Sequence, residues 1–411
     1  MCGIAGFVDF SSKTSPSVIT KMTDEIIYRG PDSSGKFISK DNLCGLGVRR
    51  LRIIDLTTGD QPIKNEDGSV VVVYNGEIYN YKDLRKDLEK RGHEFRTKTD
   101  TEVLVHGYEE YGENFVHKLN GMFAFAFWDE NRKKLLLGRD RAGIKPLYYY
   151  ATSNLLIFGS EPKVILTHPS YRKKINIQAL ELYGYLGFLP GEISMYSGIK
   201  KLLPGHTLAF TKSQFILTKY FELESSKIGR SEDLDTLLRN AVKSQLVADV
   251  PVGIFLSGGL DSSLLAYYVS KFKKLKSFSV GFKESGFDES QHAHAVAKKI
   301  GTEHYSLEFG ANDVTDIYES IIPKLDEPLA DASLIPTYKV SQLARRYVTV
   351  ALSGDGGDEL FGGYPTYQAH LYARALKYFP KPLLSNLLKS VPESIVNIIP
   401  TSFQDYPKKR L

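Results

Sequence analysis

Short apolar and aromatic runs, broken by Gly, Asn and Asp, dominate the first half of the chain. "SVVVVYNGEIYNY", "KLLLGRD", "LYYYAT" and "LLIFGS" each have strand length, β-branched or aromatic character, and turn formers at their ends. That pattern predicts antiparallel sheet. Helical spacing interrupts it only locally, as around "YKDLRKDLEKRG". Beyond "LTKYFELESSKIGRSEDLD" the period changes: helical stretches such as "LLRNAVKSQLVA", "SSLLAYYVSKF" and "SQHAHAVAKKIG" alternate with the short apolar runs "VPVGIFLS" and "KSFSVGF". A βα alternation of this kind suits a parallel sheet. The expected fold class is therefore mixed α+β and α/β in two domains, residues 1–210 and 231–411, joined by a linker at 211–230.

Composition narrows the picture. At 411 residues the chain exceeds one ordinary core, and 42% hydrophobic with 25% charged residues is the balance of a soluble globular protein. The net charge of +5 is spread over short, separated clusters ("VRRLR", "NRKK", "KFKKLK"), which read as solvated faces and not as a nucleic-acid footprint. No run approaches the length of a membrane span and no charged segment precedes an apolar one at the start, so export and membrane insertion are not expected and the cytoplasm is the default. Two cysteines, Cys2 and Cys44, are too few for a disulfide scaffold. Neither short repeats nor low-complexity segments stand out.

Cys2 stands directly behind Met1 in "MCGIAGFVDF". Trimming of the methionine would leave a free amine beside a free thiol, a nucleophile with its own base. Among the bland readings, lipidation lacks its signals and a disulfide lacks its density; a small core residue stays open. In "VVVYNGEIYN", Asn75-Gly76 is a strong hairpin signal, and it also suits an oxyanion hole made of the Asn75 amide and an unobstructed Gly76 N–H. Arg50 has the chemistry to clamp an α-carboxylate bidentately, and Glu77 and Asp100 to receive an α-ammonium, although each alone reads as a surface charge. Jointly they would hold a free amino acid at both ends.

"MCGIAGF", "RGPDSSG", "NGEIYN", "GMFAFAFWD" and "GRDRAGIKPLYYY" occur in the order found in class II glutamine amidotransferases, and over about 210 residues the chain resembles that family of N-terminal-nucleophile glutaminase domains. The resemblance implies a four-layer α/β/β/α domain in which Cys2 attacks the glutamine amide and releases ammonia through a thioester. By position, Arg50, Asn75, Gly76, Glu77 and Asp100 match residues that bind glutamine and its oxyanion, and the α-amine, with an ordinary pKa near 8, matches the base.

The second half carries "VPVGIFLSGGLDSSLLAYYV", an apolar strand running through a Gly-rich turn into a helix. Such a turn presents N–H groups and a helix N-terminus to phosphate, but it is neither a Walker A loop nor a dinucleotide fingerprint. Asp261 and Ser262 open the helix. "VTVALSGDGGDELFGGY" repeats the theme with three carboxylates, Asp355, Asp358 and Glu359, a donor set that suits Mg²⁺ shared with nucleotide phosphates better than a bare solvated loop.

"SGGLDSS" resembles the pyrophosphate loop of ATP pyrophosphatases (PP-loop enzymes). With "DEPLADASLIPTYKVSQLARR" and "SGDGGDELFGGY" it is similar to the synthetase half of the glutamine-hydrolysing asparagine synthetase family. That resemblance implies adenylation of the aspartate β-carboxylate by ATP, loss of pyrophosphate, and displacement of AMP by ammonia to give asparagine. By position, Leu256, Ser257, Gly258, Gly259, Asp261, Ser262, Val280, Ser353 and Gly354 would form the ATP site. Asp261 and Asp358 would hold Mg²⁺, while Asp355 and Glu359 would activate or position the acceptor; some relatives carry glutamate in place of Asp355. The implied partners are glutamine, aspartate and ATP, with a homodimer as an open expectation and neither nucleic acid nor membrane. The run "GMFAFAFW" reads as a core strand before it reads as the wall of an ammonia passage. Two other functions stay open: amidation or cyclisation of a different carboxylate, and glutaminase activity alone. The family's long C-terminal helical segment, which supplies a lysine to the phosphates, has no counterpart before "SFQDYPKKRL", as in a fragment or a natural truncation.

Overall fold

The computed structural model describes residues 1–223, 233–282 and 290–376. Its first part holds twelve strands: β1 (Gly3–Asp9), β2 (Ser33–Ile38), β3 (Cys44–Arg50), β4 (Ile63–Lys64), β5 (Val70–Ile78), β6 (Gly121–Asp129), β7 (Lys134–Arg139), β8 (Tyr148–Ala151), β9 (Leu155–Gly159), β10 (Lys200–Lys201), β11 (His206–Phe210) and β12 (Phe215–Lys219). They form two antiparallel six-stranded sheets, ordered β10-β8-β9-β1-β3-β2 and β12-β11-β7-β6-β5-β4. Between the sheets pack Ile4 and Val8 of β1, Val71 and Val73 of β5, and Ala124, Ala126 and Trp128 of β6. Their outward neighbours meet helices. Val72, Tyr74, Phe125 and Phe127 pack against α-helices at Tyr81–Lys90 and Glu102–Tyr111, and Ala5 and Phe7 against those at Val18–Asp24 and Pro162–Leu166. The result is the four-layer α/β/β/α domain expected from the resemblance. Strands covered on both faces need no polar side, which explains the unbroken apolar runs. "GMFAFAFW" is accordingly a core strand.

Strand β12 lies inside the stretch expected as linker, so the second of these sheets continues past residue 210. Residues 224–232 of that stretch lie outside the described residues, as do residues 377–411, on which the expectation about the C-terminal segment falls.

The second domain is a parallel sheet of β13 (Val252–Phe255), β14 (Lys276–Phe282), β15 (Glu303–Phe309) and β16 (Val350–Leu352), ordered β15-β14-β13-β16. From β13 the chain winds outward through β14 to β15, then returns to place β16 on the other side of β13. The crevice at the C-terminal ends of β13 and β16 is thus a topological switch point, where open α/β sheets bind ligands.

Directional contacts join the domains. The Asp55 N–H donates to Asp249 Oδ2 (2.8 Å), and the Asp249 N–H to the Ile53 carbonyl (2.9 Å). On another side, the Lys163 N–H donates to Asp326 Oδ2 (2.6 Å), and Glu327 accepts from the Met195 N–H (2.8 Å) and the Tyr148 hydroxyl (3.1 Å). The "DEPL" motif, drawn by resemblance into the synthetase half, therefore has its acidic pair at the domain interface.

Candidate active sites

Strand alternation assembles the first site. Cys2, one residue before β1, shares a small pocket with Arg50, Tyr74, Gly76, Glu77, Thr99 and Asp100. Gly76 has to be glycine: a Cβ there would lie 2.2 Å from the Met122 carbonyl oxygen and 2.8 Å from the Phe123 Cα on the neighbouring strand. Asn75 sits between two pocket walls, Tyr74 and Gly76, but is not a wall itself. By alternation its side chain takes the inner side, in the row of Val71 and Val73. It is 1% exposed, and neither its amide nitrogen nor its amide oxygen has a hydrogen-bond partner. Buried amides are rarely left so, and the unpaired group marks a place where a ligand atom completes the structure.

At the carboxylate end, Arg50 is 3% exposed and largely committed. Its Nη2 donates to the carbonyls of Ile54 (2.9 Å) and Asp55 (2.7 Å), and its Nη1 to Asp60 Oδ1 (2.8 Å). A guanidinium has five N–H groups, so about two are left for a ligand. With both Nη2 hydrogens engaged, the bidentate clamp expected from the sequence would require breaking a carbonyl contact. At the ammonium end, Asp100 Oδ2 accepts from the Ile78 N–H (2.9 Å) and the Tyr74 hydroxyl (3.1 Å), and Oδ1 from the Thr99 hydroxyl (3.2 Å). Burial pushes the Asp100 carboxyl up; Glu77 is pushed well above the carboxylate range by burial and then by Asp100. Two buried carboxyls facing one pocket are what a ligand cation relieves.

Burial also pushes the Cys2 thiol up and pulls the chain's terminal amine down to about 6. Both groups therefore rest neutral near pH 7, the state from which an amine can accept a thiol proton. In this chain that amine is on Met1, and the Cys2 nitrogen is inside a peptide bond. The Cys2 carbonyl accepts from Arg29 Nε (3.0 Å). Lys145, 5% exposed and with its pKa lowered by burial, brings Nζ to 3.3 Å from Met1 Sδ. Asp140 fixes that lysine's loop, accepting from the N–H groups of Ala142, Ile144 and Lys145. Sequence reasoning missed Lys145, Arg29, Tyr74 and Thr99.

The second site fills the switch-point crevice, a cavity of about 750 Å³. Leu256, Ser257, Gly259, Asp261, Ser262, Val280, Ser353, Gly354, Asp355 and Asp358 line it, with Phe255 and Phe278 as apolar wall. Ser257 and Ser262 bind each other (Oγ···Oγ 3.0 Å), and the Gly259 N–H donates to Ser257 Oγ (3.2 Å), closing the turn onto the helix Leu260–Ser270. Gly258 is off the wall but shapes it. Its φ is +86°, and a Cβ would strike the His292–Ala293 backbone at 2.6–2.7 Å. The acidic loop closes on this turn. A Cβ on Gly357 would lie 2.6 Å from Asp261 Oδ2, and one on Gly363 1.9 Å from Asp358 Oδ1. Glu359 departs from the sequence expectation: it is exposed, outside the cavity, and accepts from the Tyr364 hydroxyl (2.9 Å), because the short helix Gly357–Phe361 turns it away from Asp358.

Fold and sites together define a class II glutamine amidotransferase domain joined to a PP-loop nucleotide-binding domain. Family models agree, with a glutamine amidotransferase domain over residues 1–221 and an asparagine synthase domain over 233–401. The chain is 41% identical to a putative asparagine synthetase [glutamine-hydrolyzing] 2 of Methanocaldococcus jannaschii, over 89% of this chain and 76% of that protein. It is 38% identical to asparagine synthetase [glutamine-hydrolyzing] 1 of Bacillus subtilis, over 94% of this chain and 63% of that protein. A third relative, asparagine synthetase [glutamine-hydrolyzing] 3 of Bacillus subtilis, is 36% identical over 89% and 64%. The chain belongs to the glutamine-hydrolysing asparagine synthetase family and spans about 63–76% of the length of these relatives. Among the described residues no helix is long and apolar enough to cross a membrane.

Proposed function

We propose that the chain couples glutamine hydrolysis to ATP-dependent amidation of aspartate. The observation that carries the reading is one chain whose two domains, joined by directional hydrogen bonds, hold a thiol pocket fitted to a free amino acid and a crevice of about 750 Å³ at a parallel-sheet switch point. With Met1 removed, the Cys2 amine takes the thiol proton and Sγ attacks the γ-carboxamide carbon. The oxyanion is held by the unpaired Asn75 amide and the Gly76 N–H. The C–N bond breaks, the amine returns its proton to the leaving nitrogen, ammonia departs, and water hydrolyses the thioester to glutamate. Arg50 takes the substrate carboxylate, and Glu77 and Asp100 its ammonium.

In the crevice the aspartate β-carboxylate displaces pyrophosphate from the ATP α-phosphate. Ammonia then attacks the mixed anhydride, releasing AMP and asparagine. The Ser257–Ser262 turn cradles phosphate, and Leu256, Val280, Ser353 and Gly354 bound the nucleotide. The oxygen donors Asp261 and Asp358, packed onto glycine backbone, fit Mg²⁺, which neutralises phosphate charge when bound. Asp355, on the wall, positions the acceptor; Glu359 stands beside that wall, exposed, with its carboxylate on the Tyr364 hydroxyl. Incubation with amide-¹⁵N glutamine, ATP and aspartate tests the reading by mass spectrometry. The expected products are ¹⁵N-asparagine with matching AMP and pyrophosphate. Glutamate formed with no aspartate-dependent pyrophosphate exchange would exclude it.

A further inference from the structure

In the first domain, among residues that line neither site, Glu66, His93, His106 and Glu109 present one ligand atom each within 4.8 Å of one another. Nothing in the chemistry above uses them. Three separate elements supply the four: the β4–β5 turn, the loop after the helix Tyr81–Lys90, and the helix Glu102–Tyr111, on which His106 and Glu109 share a face at i, i+3 spacing. His93 Nδ1 lies 3.2 Å from Glu66 Oε1 and 3.9 Å from Glu109 Oε2. His106 Nδ1 lies 3.2 Å from Glu66 Oε2 and 3.3 Å from Glu109 Oε2. Tetrahedral ligands at about 2.0–2.1 Å from a central ion stand about 3.3–3.5 Å apart, and three of these separations lie within about 0.1 Å of that range.

Two features distinguish the cluster from a chance group of charges. Both imidazoles turn Nδ1 inward toward the same two carboxylates, and both point Nε2 outward toward another carboxylate, Glu102 at 3.8 Å and Glu110 at 3.6 Å. His106 is 1% exposed, and its Nε2 has no hydrogen-bond partner. The carboxylates are steered as well: Asn65 Nδ2 donates to Glu109 Oε1 (2.6 Å), and the Glu94 N–H to Glu66 Oε1 (3.2 Å).

We propose that these four residues bind one divalent transition-metal ion of the zinc class. Two neutral imidazoles and two carboxylates balance a dication and match the donor preference of such ions. The site is closed by protein ligands, so its role is structural. It would clamp both ends of the segment between His93 and His106, which carries Thr99 and Asp100 of the thiol pocket.

The test uses the whole 411-residue chain, stripped with a chelator and titrated with Zn²⁺ and with Co²⁺. One equivalent should bind, Co²⁺ should show the intense visible bands of a four-coordinate centre, and Zn²⁺ should raise Tm by several degrees. His106 is deeply buried and its loss endangers folding, so the more exposed His93→Ala and Glu109→Gln are the test variants. Each should weaken Zn²⁺ binding at least tenfold, while Glu113→Gln should not. No binding to the stripped protein would overturn the proposal and leave a hydrogen-bonded His–Glu network. Binding that persists in His93→Ala, or a thiolate-to-cobalt charge-transfer band, would place the metal elsewhere and overturn it equally.

Discussion

Replacing Asn75 by valine should move stability and catalysis in opposite directions. In β5 the Asn75 side chain lies between the sheets in line with Val71 and Val73, with both polar atoms unpaired. An unsatisfied buried polar group costs about 1–3 kcal/mol in desolvation. Valine removes two such groups, continues the apolar row and suits a strand. The fold should gain about 1–3 kcal/mol, and at roughly 2–4 °C per kcal/mol for a domain of this size Tm should rise by several degrees. Catalysis should lose what the amide supplies to the oxyanion, about 10²–10³ in kcat. The glutamine KM should stay within a fewfold, because Arg50, Glu77 and Asp100 are untouched. Glutamate formation under initial-rate conditions gives the kinetic arm, and denaturant unfolding followed by fluorescence of the lone tryptophan, Trp128 in this core, gives the other. A variant less stable by 1 kcal/mol or more would mean that the amide is satisfied within the fold. An unchanged kcat would remove it from the oxyanion site.

Protonation supplies two further predictions. Burial raises Glu77 well above the carboxylate range and Asp100 above its ordinary value, and an arriving ammonium favours their charged forms, so glutamine binding to Cys2→Ala should release protons. Calorimetry in buffers of different ionisation enthalpy reads this directly, and a binding enthalpy independent of buffer would show that the carboxyls are already ionised. His168, 1% exposed beside the edge of Phe7, has its pKa lowered by burial to about 4. The fold prefers the neutral ring, so this contribution is complete above the unfolded value near 6.5 and is lost as pH falls toward 4, about 3 kcal/mol in all. His168→Gln should flatten the stability profile between pH 6.5 and 5, and an unaltered slope would show that the ring is solvated in the native state.

Local sequence disclosed what local geometry determines. Gly76 and the Ser257–Ser262 turn were legible because close backbone approach and positive φ leave glycine no substitute, and Cys2 because of its place in the chain. Arg50 was legible as a residue but not in its bonding. Its commitment to the Ile54 and Asp55 carbonyls depends on how residues 51–60 fold back, which no local pattern encodes. Lys145 was invisible for a related reason, since a lysine in a turn reads as solvated and only tertiary packing buries it beside the thiol. Glu359 was grouped with Asp355 and Asp358 because the three crowd within five positions, but consecutive residues on a helical turn point about 100° apart, and Glu359 stands outside the crevice lining. The four-residue cluster around His106 drew no notice because its members come from three elements up to 43 positions apart.

The placement of the acidic pair Asp326–Glu327 changes what the domain interface has to do. A continuous line of polar contacts runs from Cys2 to it. The Cys2 carbonyl takes Arg29 Nε, Arg29 Nη1 pairs with Glu161 (2.7 Å), Glu161 with Lys163 (3.4 Å), and Lys163 with Asp326 (3.2 Å). Tyr28 bonds to Glu161 through its hydroxyl. Apart from the exposed Tyr28 these side chains are only 10–17% exposed, and burial already raises the Asp326 carboxyl above its ordinary range. Desolvated ion pairs of this kind add little net stability, but removing one member strands a buried charge on the next. The line therefore acts less as adhesive than as a registration device. It tolerates one relative placement of β1 and the segment after residue 321, and it penalises others by several kcal/mol. An apolar interface of equal area would allow the domains to slide; this one ties the position of Cys2 to correct docking of the second domain.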